Sequence, residues 1–334
     1  MLPFLPKRWC YISYLKALSR TASIIIVLVI IIVAVIAGYY YYTMQAQEKY
    51  PSKPITIYVP WSPGGGTDRA TRTIASLLEK DLGVPINVLN KVQGGSAATF
   101  VAGAEATPDG YTLTAITIEL SAWKWLGVAD VTYEDYEPIA MLICNPATIT
   151  VRADAPWNSV QELVDYIKEH PGELKASGTV QGGVWDIARI GFLKAVGLDP
   201  DAVIWVPSQG ASPALQELVS GGVDIVFAST GEVLPLVQAG KAKTLAVMSD
   251  ERVPGFENVP TLKELGIDWS ICGWAGLAAP KGTPKDRVQL LIDAVDKAWH
   301  SQDFQDFLKN NAFVGKLLLG DEFKDYLAKE YQTC

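Results

Sequence analysis

Basic charge is scarce in this chain: 28 Lys and Arg stand against 36 Asp and Glu, a formal net charge of -8. Nucleic acid and anionic lipid both need a basic surface, so neither is expected as the main partner. Histidine is scarcer still. Of the 2 present, His170 precedes Pro171-Gly172 at a helix end, and His300 sits among Trp299, Ser301 and Gln302 near another. No His, Cys, Asp and Glu cluster at ligand spacing, which argues against zinc, and no G-x-S-x-G elbow supports a hydrolase. No catalytic residue, metal or cofactor is therefore expected. Of 4 cysteines, only Cys144 and Cys272 lie inside the body of the chain away from its end, so no disulfide framework is indicated; two buried thiols and one bridge both remain open. Cys10 precedes the N-terminal apolar run, where it cannot serve as a lipid anchor.

Apolar length is what the N-terminus has in abundance. After Lys7, Arg8, Lys16 and Arg20, Ser23 to Gly38 is almost wholly Ile, Val, Leu and Ala, followed by Tyr39 to Tyr42. About 20 apolar residues cross a hydrocarbon core, a basic flank marks the cytoplasmic side, and tyrosines suit the interface. Met44-Gln45-Ala46 is a poor cleavage site, so residues 1–46 read as a cytoplasmic flank and an uncleaved membrane anchor, with the rest exported. That remainder is long enough for two α/β domains.

A strand pattern, Ile55 to Val59, runs into Trp61-Ser62-Pro63-Gly64-Gly65-Gly66-Thr67-Asp68 and then a helical pattern from Arg69 to about Leu82. Two readings fit: an anion cradle of glycine backbone and helix N–H groups, or a tight turn braced by Asp68. A P-loop needs Gly-Lys-Ser/Thr where this chain has Gly66-Thr67-Asp68, and G-x-G-x-x-G is incomplete, which disfavours nucleotides. Alternation continues through Ile86 to Leu89, a helix over Ala97 to Ala106, and Tyr111 to Ile118, the rhythm of a parallel sheet. Ile139 to Val151, broken by Asn145-Pro146, suggests a strand passing between domains. Ser159 to His170 reads as a helix with Ser159 and Glu162 at capping-box spacing.

A second α/β unit follows: Leu174 to Ser177, the loop Gly178-Thr179-Val180-Gln181-Gly182-Gly183, a helix to Val196, Val203 to Val206, the loop Pro207-Ser208-Gln209-Gly210-Ala211-Ser212-Pro213, a helix to Val219, Val223 to Ala228, and a return strand Thr244 to Met248. Glycine-rich loops thus follow strands in both halves, where ligands of open α/β sheets bind, and two such edges facing each other make a cleft. Asp286 to Ser301 and Asp303 to Asn311 read as amphipathic helices folding back on the first domain, with Trp299 and Phe307 as core.

Several motifs stand together and in order: Tyr50-Pro51-Ser52-Lys53-Pro54-Ile55, Pro63 to Asp68, Pro108-Asp109-Gly110-Tyr111-Thr112-Leu113, Pro207 to Leu215, Gly221-Gly222-Val223-Asp224, Ala239-Gly240-Lys241, Val259-Pro260-Thr261 and Ala279-Pro280-Lys281-Gly282-Thr283-Pro284. From about Tyr50 to its end the chain thereby resembles the substrate-binding proteins of tripartite tricarboxylate transporters, the TctC-like or Bug proteins. The resemblance implies an α/β, two-lobed periplasmic-binding-protein fold of type II. It places lobe 1 in 47–145 plus 248–334 and lobe 2 in 146–247, with hinges near Asn145 to Ala147 and Ala246 to Ser249. It further implies a monomeric, non-enzymatic receptor that captures a small carboxylate, a di- or tricarboxylate or an amino-acid-like acid, and delivers it to large and small membrane subunits; a module sensing the same ligand for a membrane partner is the alternative. Ligand-holding segments carried over are Trp61 with Ser62, Gly64, Gly65, Gly66, Thr67 and Asp68; Ser177, Gly178, Thr179, Gln181, Gly182 and Gly183; and Ser208, Gln209 and Gly210. Backbone N–H groups, hydroxyls and waters are expected to supply the grip, in keeping with the absence of Lys and Arg from these loops.

Departures from the family pattern concern charge. Thr117-Ile118-Glu119 falls where small neutral residues are commoner, so Thr117 and Glu119 join the candidate ligand set. A carboxylate there repels an anion, and either binds a ligand ammonium group or faces solvent or a nearby base. Trp185-Asp186 stands where many relatives have a histidine near the helix start, and Asp186 competes for the helix dipole. Trp61, Trp185 and Trp274 are read as core or rim surfaces able to stack on a planar ligand. Arg72 is expected to be structural and Arg69 to face solvent.

Overall fold

The computed structural model describes residues 22, 24–39, 50–92 and 95–333. Residues up to Ser52 and those from Lys53 onward form two separate compact units. In the first, a helix over 24–39 exposes its Ile, Val and Leu side chains. Among the described residues no helix is long and apolar enough to cross a membrane. The basic flank and Tyr40 to Tyr42 of the expected anchor lie outside the described residues.

The second unit starts with β1 (Ile55–Val59), where buried Ile55, Ile57 and Val59 alternate with partly exposed Thr56 and Tyr58, the period of a strand with one face in the core. Helix α1 (Gly66–Leu82) turns Ala70, Ile74 and Leu78 inward on a single stripe and stops at Gly83, whose φ of 70° lets its N–H return to the Glu79 carbonyl. Then come β2 (Ile86–Asn90), α2 (Gly95–Ala104), β3 (Thr112–Thr117), the one-turn α3 (Glu119–Ala122) and β4 (Tyr136–Arg152). Helix α4 (Val160–Glu169) is capped by Ser159, which accepts from the Glu162 N–H at 3.2 Å, but the Glu162 carboxylate reaches the Asn158 N–H at 2.6 Å. The expected capping box is thus shifted outward by one residue on its return arm.

Further on are β5 (Lys175–Ser177), α5 (Val184–Ala195), β6 (Ile204–Val206), α6 (Ala211–Ser220), β7 (Ile225–Ser229), α7 (Thr230–Gln238) and β8 (Ala242–Val247). Last are β9 (Cys272–Pro280), α8 (Lys285–Trp299), α9 (Gln302–Asn310), β10 (Gly315–Leu319) and α10 (Gly320–Thr333). Helix α8 packs on α1 and β4, and α10 packs on β4. Trp299 is half-buried and its indole N–H bonds the Leu142 carbonyl at 3.0 Å.

The sheet runs β2-β1-β3-β9-β4-β7-β5-β6, with β8 and β10 also on β4. Two parallel trios, β2-β1-β3 and β6-β5-β7, are joined through antiparallel strands β4 and β9, so the sheet is mixed rather than parallel throughout. β4, 17 residues long, spans both trios: it pairs with β9 through Pro146 and with β7 from Ala147. Met248, Val253, Phe256 and Leu262 belong to the second lobe's apolar core, with Ile271 packed against it. The segment from Met248 through Ile271 thus packs in the same apolar cluster as β7 and β8 before the chain crosses to β9. Cys144 and Cys272 form a disulfide that ties β4 to β9 beside this crossing.

Candidate functional site

Both lobes build the same strand-turn-helix device. In the first, Gly64 adopts a φ of 82°, Gly65 caps α1, and the Gly64 N–H donates to Asp68 Oδ2 at 2.9 Å. Asp68 Oδ1 accepts from Arg72 Nε at 2.9 Å and from Asn90 Nδ2 at 2.8 Å. In the second, Gly182 adopts a φ of 73°, Gly183 caps α5, and the Gly182 N–H donates to Asp186 Oδ2 at 2.9 Å. Asp186 Oδ1 accepts from Arg189 Nε at 3.0 Å and Nη2 at 2.7 Å. The positive φ selects glycine at both turns, and an aspartate four residues on ties each turn to its helix. Both aspartates are buried with both oxygens engaged. Asp68, expected among the ligand contacts, is a brace, and Asp186 is its counterpart.

The N–H that opens each helix meets a carboxylate from the other lobe. The Gly66 N–H donates to Glu232 Oε1 on α7 at 2.8 Å, and the Val184 N–H donates to Glu119 Oε1 on α3 at 2.9 Å. Glu232 Oε2 accepts from the Ser229 N–H and hydroxyl at 2.9 and 2.8 Å, a complete capping box. Glu119 Oε2 accepts from the Thr117 hydroxyl at 2.5 Å, whose oxygen accepts from Trp61 Nε1 at 3.3 Å. Because α3 follows β3 and α7 follows β7, strands with the same place in their trios, the exchange across the cleft is reciprocal.

The two glutamates differ electrostatically. Glu119 is 1% exposed; burial pushes its pKa up, opposed by the bonds from Thr117 and Val184. Glu232 has Arg69 beside it: burial lowers the Arg69 pKa and the Glu232 charge raises it. Arg69 does not face solvent as expected. It is half-buried and donates to the Gly231 carbonyl at 2.8 Å and Asn311 Oδ1 at 2.5 Å. Arg72 is exposed and holds Asp68 and Asn90.

Between the lobes lies a cavity with about 40 Å³ of room for the centres of water-sized bodies, enough for a few waters or one compact ligand. Of the expected residues, Trp61, Ser62, Gly65, Gly66, Thr67, Thr117, Glu119, Thr179 and Gly210 line it. Gly64, Asp68, Ser177, Gly178, Gln181, Gly182, Gly183, Ser208 and Gln209 do not line it, and of these Gly64, Gln181 and Gln209 are exposed. Their bonds hold the frame: the Ser177 hydroxyl donates to the Val206 carbonyl at 2.7 Å, the Ser208 hydroxyl to the Gly210 carbonyl at 3.0 Å, and the Gln209 carbonyl accepts from the Ser62 N–H across the cleft at 3.3 Å. Gly178 is packed, since a Cβ there would meet the Phe227 carbonyl at 2.4 Å.

Sequence reasoning left Asn145, Ser229 and Glu232 out of the ligand set, and all three line the cavity. The Ser229-x-x-Glu232 capping-box spacing after Val223 to Ala228 was the available signal for the last two. Trp185 and Trp274 also line it; Trp185 lies against Gly273, where a Cβ would come within 2.7 Å of its ring. The Ser62 hydroxyl and the Trp274 indole nitrogen are buried without a hydrogen-bond partner among the described residues.

The family described as the tripartite tricarboxylate transporter family receptor, TctC, matches residues 70–318. A TctC solute binding protein from Polaromonas, solved without ligand, is 36% identical at a TM-score of 0.63, over 85% of this chain and 97% of its own. The periplasmic binding protein BugD is 27% identical at a TM-score of 0.80, over 85% and 96%. MatC from Rhodopseudomonas palustris, solved with bound malate, is 27% identical at a TM-score of 0.76, over 85% and 98%. With its two α/β lobes, its cleft and this match, the chain belongs to the TctC family of tripartite tricarboxylate transporter receptors, which bind solutes and are not enzymes.

Proposed function

We propose that this protein captures a small carboxylate, a di- or tricarboxylate or an amino-acid-like acid, in the interlobe cleft and hands it to the large and small membrane subunits of a tripartite transporter. One observation carries the reading: loops at the carboxyl ends of both parallel trios line one cavity. Malate bound to MatC supports the ligand class. The contacts come from Trp61, Ser62, Gly65, Gly66, Thr67, Thr117, Glu119, Thr179 and Gly210, with β4 and the Ile271–Cys272 crossing as hinges. Closure around the ligand forms the surface that the membrane subunits read.

The receptor works as an extracytoplasmic monomer, with the N-terminal apolar segment as anchor and the N-terminus cytoplasmic. The Cys144–Cys272 bridge suits an oxidising compartment. Intact mass of the membrane-extracted protein tests the anchor: a mass lacking the first 46 residues refutes it. Thermal unfolding of the full chain against di- and tricarboxylates, aromatic acids and amino acids tests the ligand class. A ligand at about 100 times its Kd adds about 2.7 kcal/mol; no shift across the panel overturns the reading.

A further inference from the structure

We propose that the cleft is built for an acid that also carries an ammonium group, and that Glu119 is the residue that sets this preference. The inference rests on the receptor reading above and concerns the ligand of that same cavity. Its ground is that the anion-binding groups of the two glycine loops are already spoken for. Gly64 and Gly182 N–H groups hold Asp68 and Asp186, and Gly66 and Val184 N–H groups hold Glu232 and Glu119. A second ligand carboxylate finds the α5 N-terminus occupied by Glu119.

The charge balance points the same way. Among the described residues, no Lys, Arg or His lines the cavity, whereas Glu119 and Glu232 both do. Arg69 compensates Glu232, but only hydroxyl and N–H donors meet Glu119, and burial makes its charged form costly. A ligand ammonium supplies the missing counter-charge. One ligand carboxylate still has donors: the buried Trp274 indole N–H and the Ser62 hydroxyl, which lack protein partners among the described residues. One anionic and one cationic end therefore satisfy the site, and a second anionic end leaves Glu119 facing a like charge.

Isothermal titration of the full chain with α-amino and α-hydroxy acids of equal skeleton tests this: alanine against lactate, aspartate against malate, phenylalanine against phenyllactate. In the pair that fits the cavity, the amino acid is expected to bind about tenfold tighter or more, the worth of one unlike-charge contact. Glu119→Gln keeps an acceptor for the Val184 N–H and removes the charge, so the preference should fall to within about threefold while the hydroxy acid binds as well as before or better. If Glu119→Gln does not fold, the ratio in the unaltered protein decides alone. A hydroxy acid that binds as tightly as its amino partner in the unaltered protein overturns the inference and leaves the receptor reading standing. Binding by no member of any pair, together with a flat thermal panel, removes the receptor reading itself.

Discussion

Asp186→Ala and Asp68→Ala delete the same brace from the two lobes, yet their costs should differ severalfold. The Arg189 and Asp186 side chains are 6% and 3% exposed. Without Asp186, the Arg189 guanidinium keeps the Pro200 and Val203 carbonyls but loses its counter-charge in a site water cannot reach. Removing one partner of a buried pair costs about 3–5 kcal/mol. Arg72, in contrast, is 48% exposed, so water replaces Asp68 as its partner. What Asp68→Ala loses is the bonds to the Gly64 N–H and Asn90, and Asn90 retains the Trp61 carbonyl, a cost of about 1–2 kcal/mol. At roughly 2–4 °C per kcal/mol for a body of this size, Asp186→Ala should lower Tm by about 6–20 °C and Asp68→Ala by about 2–8 °C. Urea unfolding followed by tryptophan fluorescence gives both free energies on one scale. Equal losses would refute the argument, because they would mean that burial of the arginine does not set the cost.

Gly210→Ala places a Cβ 2.7 Å from the Ser62 hydroxyl across the cleft at a φ of 139°, so closure is strained and affinity should fall about tenfold or more; unchanged affinity by titration contradicts the closed geometry. Cys144→Ser opens a covalent loop with a sequence separation of 128, worth up to about 5 kcal/mol on loop entropy, and an unchanged unfolding midpoint with and without reductant would speak against the bridge. Burial raises the Glu119 pKa above its ordinary 4.5, so as pH rises past that value the unfolded chain releases its proton first and the folded protein loses stability until the folded pKa is passed. Glu119→Gln has no such term, so its Tm relative to the unaltered protein should climb as pH rises above 4.5; a constant or falling difference counts against it.

The parallel trios were legible because their strands are short apolar runs closed by glycine turns: Ile55 to Val59, Leu174 to Ser177 and Val223 to Ala228 lie close to β1, β5 and β7. Of the two strands that convert the sheet from parallel to mixed, β4 was legible as Ile139 to Val151 passing between domains, but β9 was not. β9, Cys272–Pro280, is Gly- and Ala-rich, because a Cβ at Gly276 would lie 2.5 Å from the Ala140 carbonyl and 2.7 Å from the Phe323 ring. Such a strand carries little β-propensity and is specified by its neighbours. β10 and α10 went unread for a related reason: Lys316 to Leu319 is half-exposed and lacks alternation. In the site, a bracing role for Asp68 was one of the legible readings because two of its partners, Gly64 and Arg72, are local, four residues away. The Glu119–Val184 and Glu232–Gly66 bonds join residues 65 and 166 apart in sequence, and no local pattern encodes either partner.

That non-local exchange bears on how the cleft closes. Each helix N-terminus has its glutamate only when the lobes meet; apart, the Gly66 and Val184 N–H groups turn to water. Hydrogen bonds to a charged group are worth about 1.5–3 kcal/mol each net, so the two cross-lobe bonds favour closure by a few kcal/mol. Against this stands the desolvation of Glu119, whose charged form burial makes costly. The chain's own carboxylates thus act on closure in both directions, and a ligand shifts that equilibrium by no more than its differential affinity for the two states.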